Sequence, residues 1–453
     1  MSSLVNRYHC FEFVGVETEG HRSRFLYRLS GERVEPIDFT EQVDWPAALP
    51  APDPQRPEMR QALANVHRML GISYYKSCCP ADIVLHGEPL SVAEAEFWDQ
   101  LYTIGLGEFY YRNQLDPRGR VHFPRQDRAH SPLPWPLPAQ EKVLLLIGGG
   151  KDSAVSHEIL DAAGVAVELF SLGTAPWIKR LAAAFGEPHH VVGRQLDAKL
   201  FALNASGAYN GHIPISACIA FVAVVLALSG GYRAIVASNE RTASYGNLIW
   251  QGMEINHQWS KSLQFEQAFQ GLQRLLYQEP PFYFSLLRSL SELAICGLFA
   301  RRMRYFNCFT SCNANFQLKD TSQTPRWCGH CPKCVFVYLM MAPHLNESRL
   351  QTIFAGNFLQ DEGNLPLLEE LAGLRGHKPF ECVGTPEEVR AALSHLYRQG
   401  RLQGSFLQSF YAQQLEEKVP DPHGLWQEQM AVGGASTLTP LWQGRLDAYL
   451  RSH

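Results

Sequence analysis

The 453-residue chain has little excess of either charge. Forty basic side chains face 44 acidic ones, leaving −4. No basic stripe breaks the balance, so a nucleic-acid partner is not expected. Long apolar runs are missing as well. The longest covers residues 213–228 and carries Pro214 and Ser216. It falls short of the ~20 residues that span a bilayer, so a buried helix accounts for it better and no membrane partner is expected. The opening MSSLVNRYHCFEF has no charged leader before an apolar core, which predicts no export signal and a cytoplasmic protein. No internal repeat is evident. Cysteines number eleven, and three sit in one tight cluster. An odd count with such clustering favours metal-binding reduced thiolates over a disulfide framework. Hydrophobic residues make up 46% and charged ones 19%, enough apolar material for more than one core in a globular protein.

Length alone suggests about three domains. Proline-rich stretches at 46–57 (PAALPAPDPQRP) and 131–138 (SPLPWPLP) make poor helices or central strands. The second predicts a boundary, giving an N-terminal α+β domain over 1–138, a central domain over 139–345 and a helical region over 346–453. Residues 9–39 alternate in the strand manner, with turns at Glu19-Gly20 and Ser30-Gly31, and predict an antiparallel meander. Helices are expected near 59–70 and 91–104, the latter opened by a Ser91/Glu94 capping box. The centre changes character. Strands are expected at 142–147, 165–172, 190–192 and 234–238, and helices at 153–163, 175–185 and 214–228. Alternation of this kind predicts an α/β fold with a parallel sheet covered on both faces. Ligands then bind beyond the carboxyl ends of the strands.

The first central strand runs into Gly148-Gly149-Gly150-Lys151-Asp152-Ser153, and a helix follows. Glycines permit a sharp bend and close backbone approach. The helix start offers unpaired N–H groups and a positive dipole end, a natural anion site. The spacing is not the G-x-x-x-x-G-K-[ST] of the ordinary P-loop. It resembles the SGGxDS loop of the ATP pyrophosphatase (PP-loop) superfamily, with Gly148 where serine is usual. That resemblance implies a Rossmann-like core of the HUP type that binds ATP and releases AMP and diphosphate. Phe170, Ser171 and Leu172 would lie near adenine and ribose, and Mg2+ would bridge the phosphates. A ligand-free strand-to-helix turn is the plainer alternative.

Cys328, Cys331 and Cys334 form C-x-x-C-x-x-C, with Cys312 and Cys308 upstream. Four thiolates suit tetrahedral zinc at about 2.3 Å. The pattern resembles the zinc site of the queuosine-pathway PP-loop ligase. Spacing alone leaves an iron–sulfur cluster or a set of buried free cysteines open. A closed four-sulfur site predicts a structural Zn2+. Past the strand at 234–238 come Asn239 and Glu240, expected at the nucleotide, and then further polar runs that include His257 and Lys261. For any one of these residues a loop cap or surface contact is the plainer alternative.

Taken together, GGGKDS, GHIP, SNERTASYGN, NHQWSKSLQFE, WCGHCPKC and KPFECVGTPEE resemble the UDP-N-acetylmuramoyl-L-alanyl-L-glutamate epimerase (MurL) family. The similarity extends to FEFVGVETEGHRSRFLYRL and GISYYK near the N-terminus. It implies a UDP-muramoyl dipeptide substrate whose terminal L-glutamate is adenylated, deprotonated at Cα, reprotonated on the other face and hydrolysed, in peptidoglycan precursor synthesis. Inversion needs a proton-transfer pair, for which His212, His257, Lys261 and Cys382 are the candidates. Free cysteine usually behaves as a small buried hydrophobe, and Lys261 could instead hold a carboxylate or phosphate. Arg22, Arg24, Tyr74, Tyr75 and Lys76 are candidates for clamping UDP and sugar, against a plain exposed hairpin. A PP-loop ligase that traps the acyl adenylate with an amine, a tRNA-modifying enzyme and a non-catalytic nucleotide-binding module are the alternatives.

Overall fold

The protein is described by a computed structural model over residues 4–127, 131–135, 141–316 and 324–452. The expected boundary at 138/139 lies outside those residues. One nine-stranded sheet organises the chain. Its strands are β1 (Cys10–Glu19), β2 (Arg22–Ser30), β3 (Ile37–Asp44), β4 (Asp82–Leu85), β5 (Lys142–Leu146), β6 (Ala166–Leu172), β7 (His189–Gln195), β8 (Ala234–Ala237) and β9 (Phe282–Ser285). Across the sheet they run β9-β8-β5-β6-β7-β3-β2-β1-β4. The five from β9 to β7 are parallel. The meander β1–β2–β3 is antiparallel, as its alternation predicts.

The parallel half has a doubly wound order, reversing between β5 and β8. A crevice forms at such a switch point, outside the carboxyl ends of the strands. The glycine loop follows β5, and the Asn239–Glu240 run follows β8. Both expected ligand segments therefore open onto the same crevice.

Two cores lie on opposite faces of the parallel strands. Leu144, Phe170 and Ile235 face one; Val143, Leu145, Leu169 and Val236 face the other. This alternation within continuously apolar strands is what coverage on both faces requires. The first core takes helices Pro57–Tyr75, Val92–Ile104, Ile215–Gly230 and Leu263–Leu276. The second takes Lys151–Ala162, Pro176–Phe185, Glu292–Phe299, Pro332–Met341, Pro386–Arg398 and Pro440–Ser452. After β9 the described residues form helices and turns only. The apolar run 213–228 is the buried helix Ile215–Gly230. Among the described residues, no helix is long and apolar enough to cross a membrane.

Several expectations need adjusting. The third meander strand continues to Asp44, and the short strand expected at 190–192 spans seven residues. Strands β4 and β9 have no counterpart in the sequence reading. Each is four residues long, too short to show a period. The meander is not a separate sheet either, because β3 pairs antiparallel with β7 through Val43↔Arg194. Tyr74 and Tyr75 are fully buried, with Tyr74 stacked on Tyr27 at 4.9 Å. They pack the core and cannot clamp a substrate. Arg22 pairs with Asp44 and Arg24 with Glu17 on the meander's exposed face.

A buried ion pair sits at the joint between the two halves of the sheet. Arg194 Nε lies 2.5 Å from Glu41 Oε1, and Arg194 Nη2 donates to Ser73 Oγ at 3.1 Å. Burial raises the Glu41 carboxyl above its ordinary value despite the adjacent guanidinium. Removing one partner strands the other in the core. Arg194→Met should therefore cost about 3–5 kcal/mol in denaturant unfolding, and Glu41→Leu/Arg194→Met should recover most of it. A double variant as unstable as the single one would contradict this role.

Candidate active site

The glycine loop is built for close approach. Gly149 has φ 79°, a left-handed conformation that favours glycine, and its carbonyl accepts from Thr310 N at 3.1 Å. Gly150 opens the helix Lys151–Ala162 in extended conformation and has no side-chain cap. The first-turn N–H groups thus keep their capacity for an anion. Ser153 Oγ donates to Gly150 O at 3.1 Å. Lys151 points inward, with Nζ 2.5 Å from Asp152 Oδ1 and paired with Glu292. Burial lifts the Glu292 carboxyl to about 8, with Lys151 opposing the shift.

Phe170 is a core residue, and Ser171 Oγ lies 2.8 Å from His189 Nε2. Leu172 is half-buried at the end of β6. Asn239 Nδ2 donates to Ser285 Oγ at 2.9 Å. Glu240 is buried. Its carboxylate and that of Asp152 both act on the charge of Lys261, so the glycine loop and the polar runs share one electrostatic environment.

All four proton-transfer candidates converge, around a residue the sequence did not single out. Glu108 lies on the short helix Gly107–Arg112. Its Oε2 is 2.5 Å from His257 Nδ1 and 3.7 Å from His212 Nδ1, and its Oε1 accepts from Arg112 at 2.6 Å. The two imidazole rings are 4.4 Å apart. The charge of Cys382 acts on His257, and Lys261 Nζ donates to Cys382 Sγ at 3.3 Å. Lys76, from the expected clamp, reaches this edge by donating to Asn210 Oδ1 at 2.9 Å.

The charges follow from the geometry. Burial alone would raise the Cys382 thiol. Lys261, Lys333 and His257 outweigh it and hold the group well below the usual thiol range. Burial would likewise lower His257, but Cys382 and Glu108 carry it to about 9. Burial and the neighbouring His257 charge push His212 down to about 3. These directions favour a thiolate, an imidazolium and a neutral imidazole side by side at neutral pH. Glu108, His212 and His257 also bring one ligand atom each within 4.8 Å of one another. The 2.5 Å contact of Glu108 with His257 and the packing of the two imidazole rings at 4.4 Å account for that spacing.

Distant segments pin the cluster. Arg288, buried, donates to the carbonyls of Glu240 at 2.8 Å and Lys261 at 2.7 Å, and to Glu266 Oε2 at 2.9 Å. The Cys382 segment is held by Asn247 Nδ2, which donates to the carbonyls of Lys378 and Pro379 at 3.1 and 2.7 Å. Gln258 Nε2 donates to Val383 O at 3.1 Å. The runs SNERTASYGN and NHQWSK are therefore scaffold for KPFECVG as much as ligand edge.

Cys312, Cys328, Cys331 and Cys334 place their sulfurs within 4.8 Å of one another. Cys328 and Cys334 are 3.7 Å apart, close to the edge of about 3.8 Å expected when sulfurs surround one ion at ~2.3 Å. Gly329, with φ 82°, makes the turn between the first two ligands of the motif. Cys308 is outside the group and donates to Arg304 O at 3.4 Å. The four sulfurs could hold a metal ion. Asn313, next to Cys312, hydrogen-bonds Glu381, next to Cys382, so the cluster buttresses the thiolate segment.

Two outcomes follow from this geometry. His257 has a folded-state pKa above its ordinary value, so its stabilisation is complete below pH ~6.5 and lost as pH rises through about 9. The stability difference between wild type and His257→Gln should shrink over that window in unfolding titrations; a constant difference would contradict the raised pKa. Cys331→Ser should lower both bound metal, by elemental analysis, and thermal stability; unchanged metal content would remove the site.

Sequence comparisons agree over most of the chain. Residues 3–286 match the MurL N-terminal domain and residues 308–424 the MurL C-terminal domain. A Xanthomonas oryzae pv. oryzae protein named UDP-N-acetyl-alpha-D-muramoyl-L-alanyl-L-glutamate epimerase is 39% identical over 387 residues, 85% of each chain. Proteins of the same name from Micromonospora sp. and Salinispora tropica are 43% and 41% identical, each over 83% of this chain and over 83% and 81% of their own. With both domain matches in order and this level of identity, the chain belongs to the MurL family.

Proposed function

We propose that the protein epimerises the terminal L-glutamate of UDP-N-acetylmuramoyl-L-alanyl-L-glutamate to D-glutamate, by way of an acyl adenylate formed from ATP. One observation carries the reading. Glu108 Oε2 lies 2.5 Å from His257 Nδ1 and 3.7 Å from His212 Nδ1, and the opposite pKa shifts of the two imidazoles, up for His257 and down for His212, suit one to donate and the other to accept a proton near an uncapped helix start suited to phosphate.

Adenylation answers a specific obstacle. A free carboxylate is already anionic, and removing its Cα proton would build a second charge on the same group. Attack of the α-carboxylate on the α-phosphorus of ATP forms a mixed anhydride, expels diphosphate and cancels the first charge. The N–H groups at Gly150 and the helix behind it would hold the departing phosphates in place. Asp152 would hold the Mg2+ that accompanies ATP, and the ion would neutralise phosphate charge. A side chain at Gly148 would meet nothing within 4 Å. The hydroxyl usual at that position in PP-loop proteins is therefore not sterically excluded, and backbone donors would stand in for it here.

In the proton transfer, neutral His212 has capacity to accept from Cα and imidazolium His257 has a proton to give. Inversion is complete when removal and return occur on opposite faces. Water then releases the D-glutamyl product and AMP. The four-cysteine cluster fits Zn2+, by its all-sulfur donor set and 3.7 Å edge. It leaves no open position and serves to hold the Cys382 segment. The division into a meander domain, a nucleotide domain and a helical region is part of the same reading, with the N-terminal portion contributing Glu108 to the site. The family relation and the absence of a spanning helix among the described residues are compatible with a cytoplasmic enzyme acting on a nucleotide-linked precursor.

Incubation with ATP and the dipeptide precursor in heavy water should place deuterium at Cα of the terminal glutamate, read by mass spectrometry; unlabelled product would reject epimerisation. Asp152→Asn should cut AMP formation by about 10²-fold or more with the fold intact by circular dichroism. Turnover like wild type would detach the glycine loop from ATP.

A further inference from the structure

The group that the proton-transfer account leaves without a task is Cys382. Three features of its surroundings go beyond a packed thiol. Lys261 donates to the sulfur at 3.3 Å. His257 is coupled to it through charge and is itself held by Glu108 at 2.5 Å. The segment is pinned on both sides by Asn247 and Gln258. Nucleophile, imidazole and orienting carboxylate in sequence make the arrangement used to activate a thiol for attack on a carbonyl. The same site is where the adenylation reading puts an activated carbonyl.

We infer that Cys382 is a nucleophile that takes the glutamyl group from the adenylate as a thioester, with His257 and Glu108 as its orienting partners, and that epimerisation occurs on this covalent intermediate. The step rests on the adenylation reading. The thiolate adds to the carbonyl carbon and a C–S bond forms. The bond from that carbon to the phosphate oxygen breaks, and its electron pair leaves with AMP. No redox partner is required. After proton removal and return at Cα, water attacks the thioester. The C–O bond forms, the C–S bond breaks, and the thiolate is regenerated while the product is released as its carboxylate, with both protons of the attacking water lost to solvent.

Two physical arguments favour nucleophile over base. Lowering a thiol's pKa costs it a full unit of basicity per unit, but only about 0.4–0.5 of a unit in nucleophilicity. Two adjacent cations therefore spoil Cys382 as a base for a weak carbon acid while keeping it ionised and reactive. Sulfur also conjugates poorly with a carbonyl, so the Cα proton of a thioester is more acidic than that of an oxygen ester. Acylation then feeds the next step. It consumes the negative charge that helps hold the proton on His257, making the imidazolium a better donor to the forming enolate or to Cα.

The test is a rapid acid quench of the full-length protein with ATP, Mg2+ and the UDP-muramoyl dipeptide, followed by proteolysis and mass spectrometry of the Cys382 peptide. The expected result is a mass gain of one substrate minus one water on that peptide. Cys382→Ala and Cys382→Ser should keep the first-turnover burst of diphosphate and lose AMP release and Cα deuteration by about 10²-fold or more. AMP formed by wild type with no adduct at Cys382 would overturn the thioester and leave adenylation standing. So would deuteration at wild-type rate in Cys382→Ala. Wild type that forms no AMP or diphosphate would instead sink the adenylation reading, and the thioester with it. The adduct measurement needs no variant, so poor folding of either substitution leaves the inference testable.

Discussion

The arrangement at the crevice turns on keeping a charged sulfur partly out of water. Desolvation opposes a thiolate, and the protein meets that cost with cations from separate segments of the chain. Lys261 comes from the run after β8, and Lys333 from the start of the helix Pro332–Met341. His257 is kept protonated by Glu108, a residue of the N-terminal half. Each group is stabilised by the next, so none would keep its charge state alone. This coupling explains why Asn247, Gln258 and Arg288 spend their donors on backbone carbonyls around the cluster. An ångström of slack would uncouple the chain of charges.

The fold supplies this convergence by topology. A doubly wound order places the ends of β5 and β8 side by side at the switch point. The first delivers the glycine loop and the second the polar runs. The helix Glu292–Phe299 closes the crevice from the second core and brings Glu292 to Lys151. The helical region after β9 carries Cys382 back over the same edge. The pairing of β3 with β7 extends the sheet so that the N-terminal layers, including the helix with Glu108, abut the parallel half. The four-cysteine cluster sits behind the Cys382 segment and meets it through Asn313 and Glu381. In this account a metal there has a mechanical task and no chemical one.

Elements with strong local signals were legible in the sequence. The Ser91/Glu94 capping box forms as its spacing predicts, and so does the turn from β5 into Gly148–Ser153. Apolar runs located β6, β8 and the buried helix Ile215–Gly230, because burial on both faces leaves little polar interruption. The candidates His212, His257, Lys261 and Cys382 were visible as residues in polar motifs. Their mutual contacts were not, since they depend on segments brought together from far apart. Glu108 shows why. In sequence it is an ordinary acid four residues before Arg112, indistinguishable from a solvated helix pair. Only burial and the two imidazoles give it meaning. Tyr74 and Tyr75 show the reverse error, since polar-tipped aromatics suggested a clamp and the structure uses them to fill the core.

The central claim is that Cys382 is a thiolate at neutral pH because His257 and Lys261 hold it so. The most direct measurement is the thiolate ultraviolet absorbance titrated against pH, taken as wild type minus Cys382→Ala. The account predicts a transition well below the ordinary thiol pKa of about 8.5, moving upward in Lys261→Gln. A difference titration centred near the ordinary value, and unmoved by loss of Lys261, would contradict it.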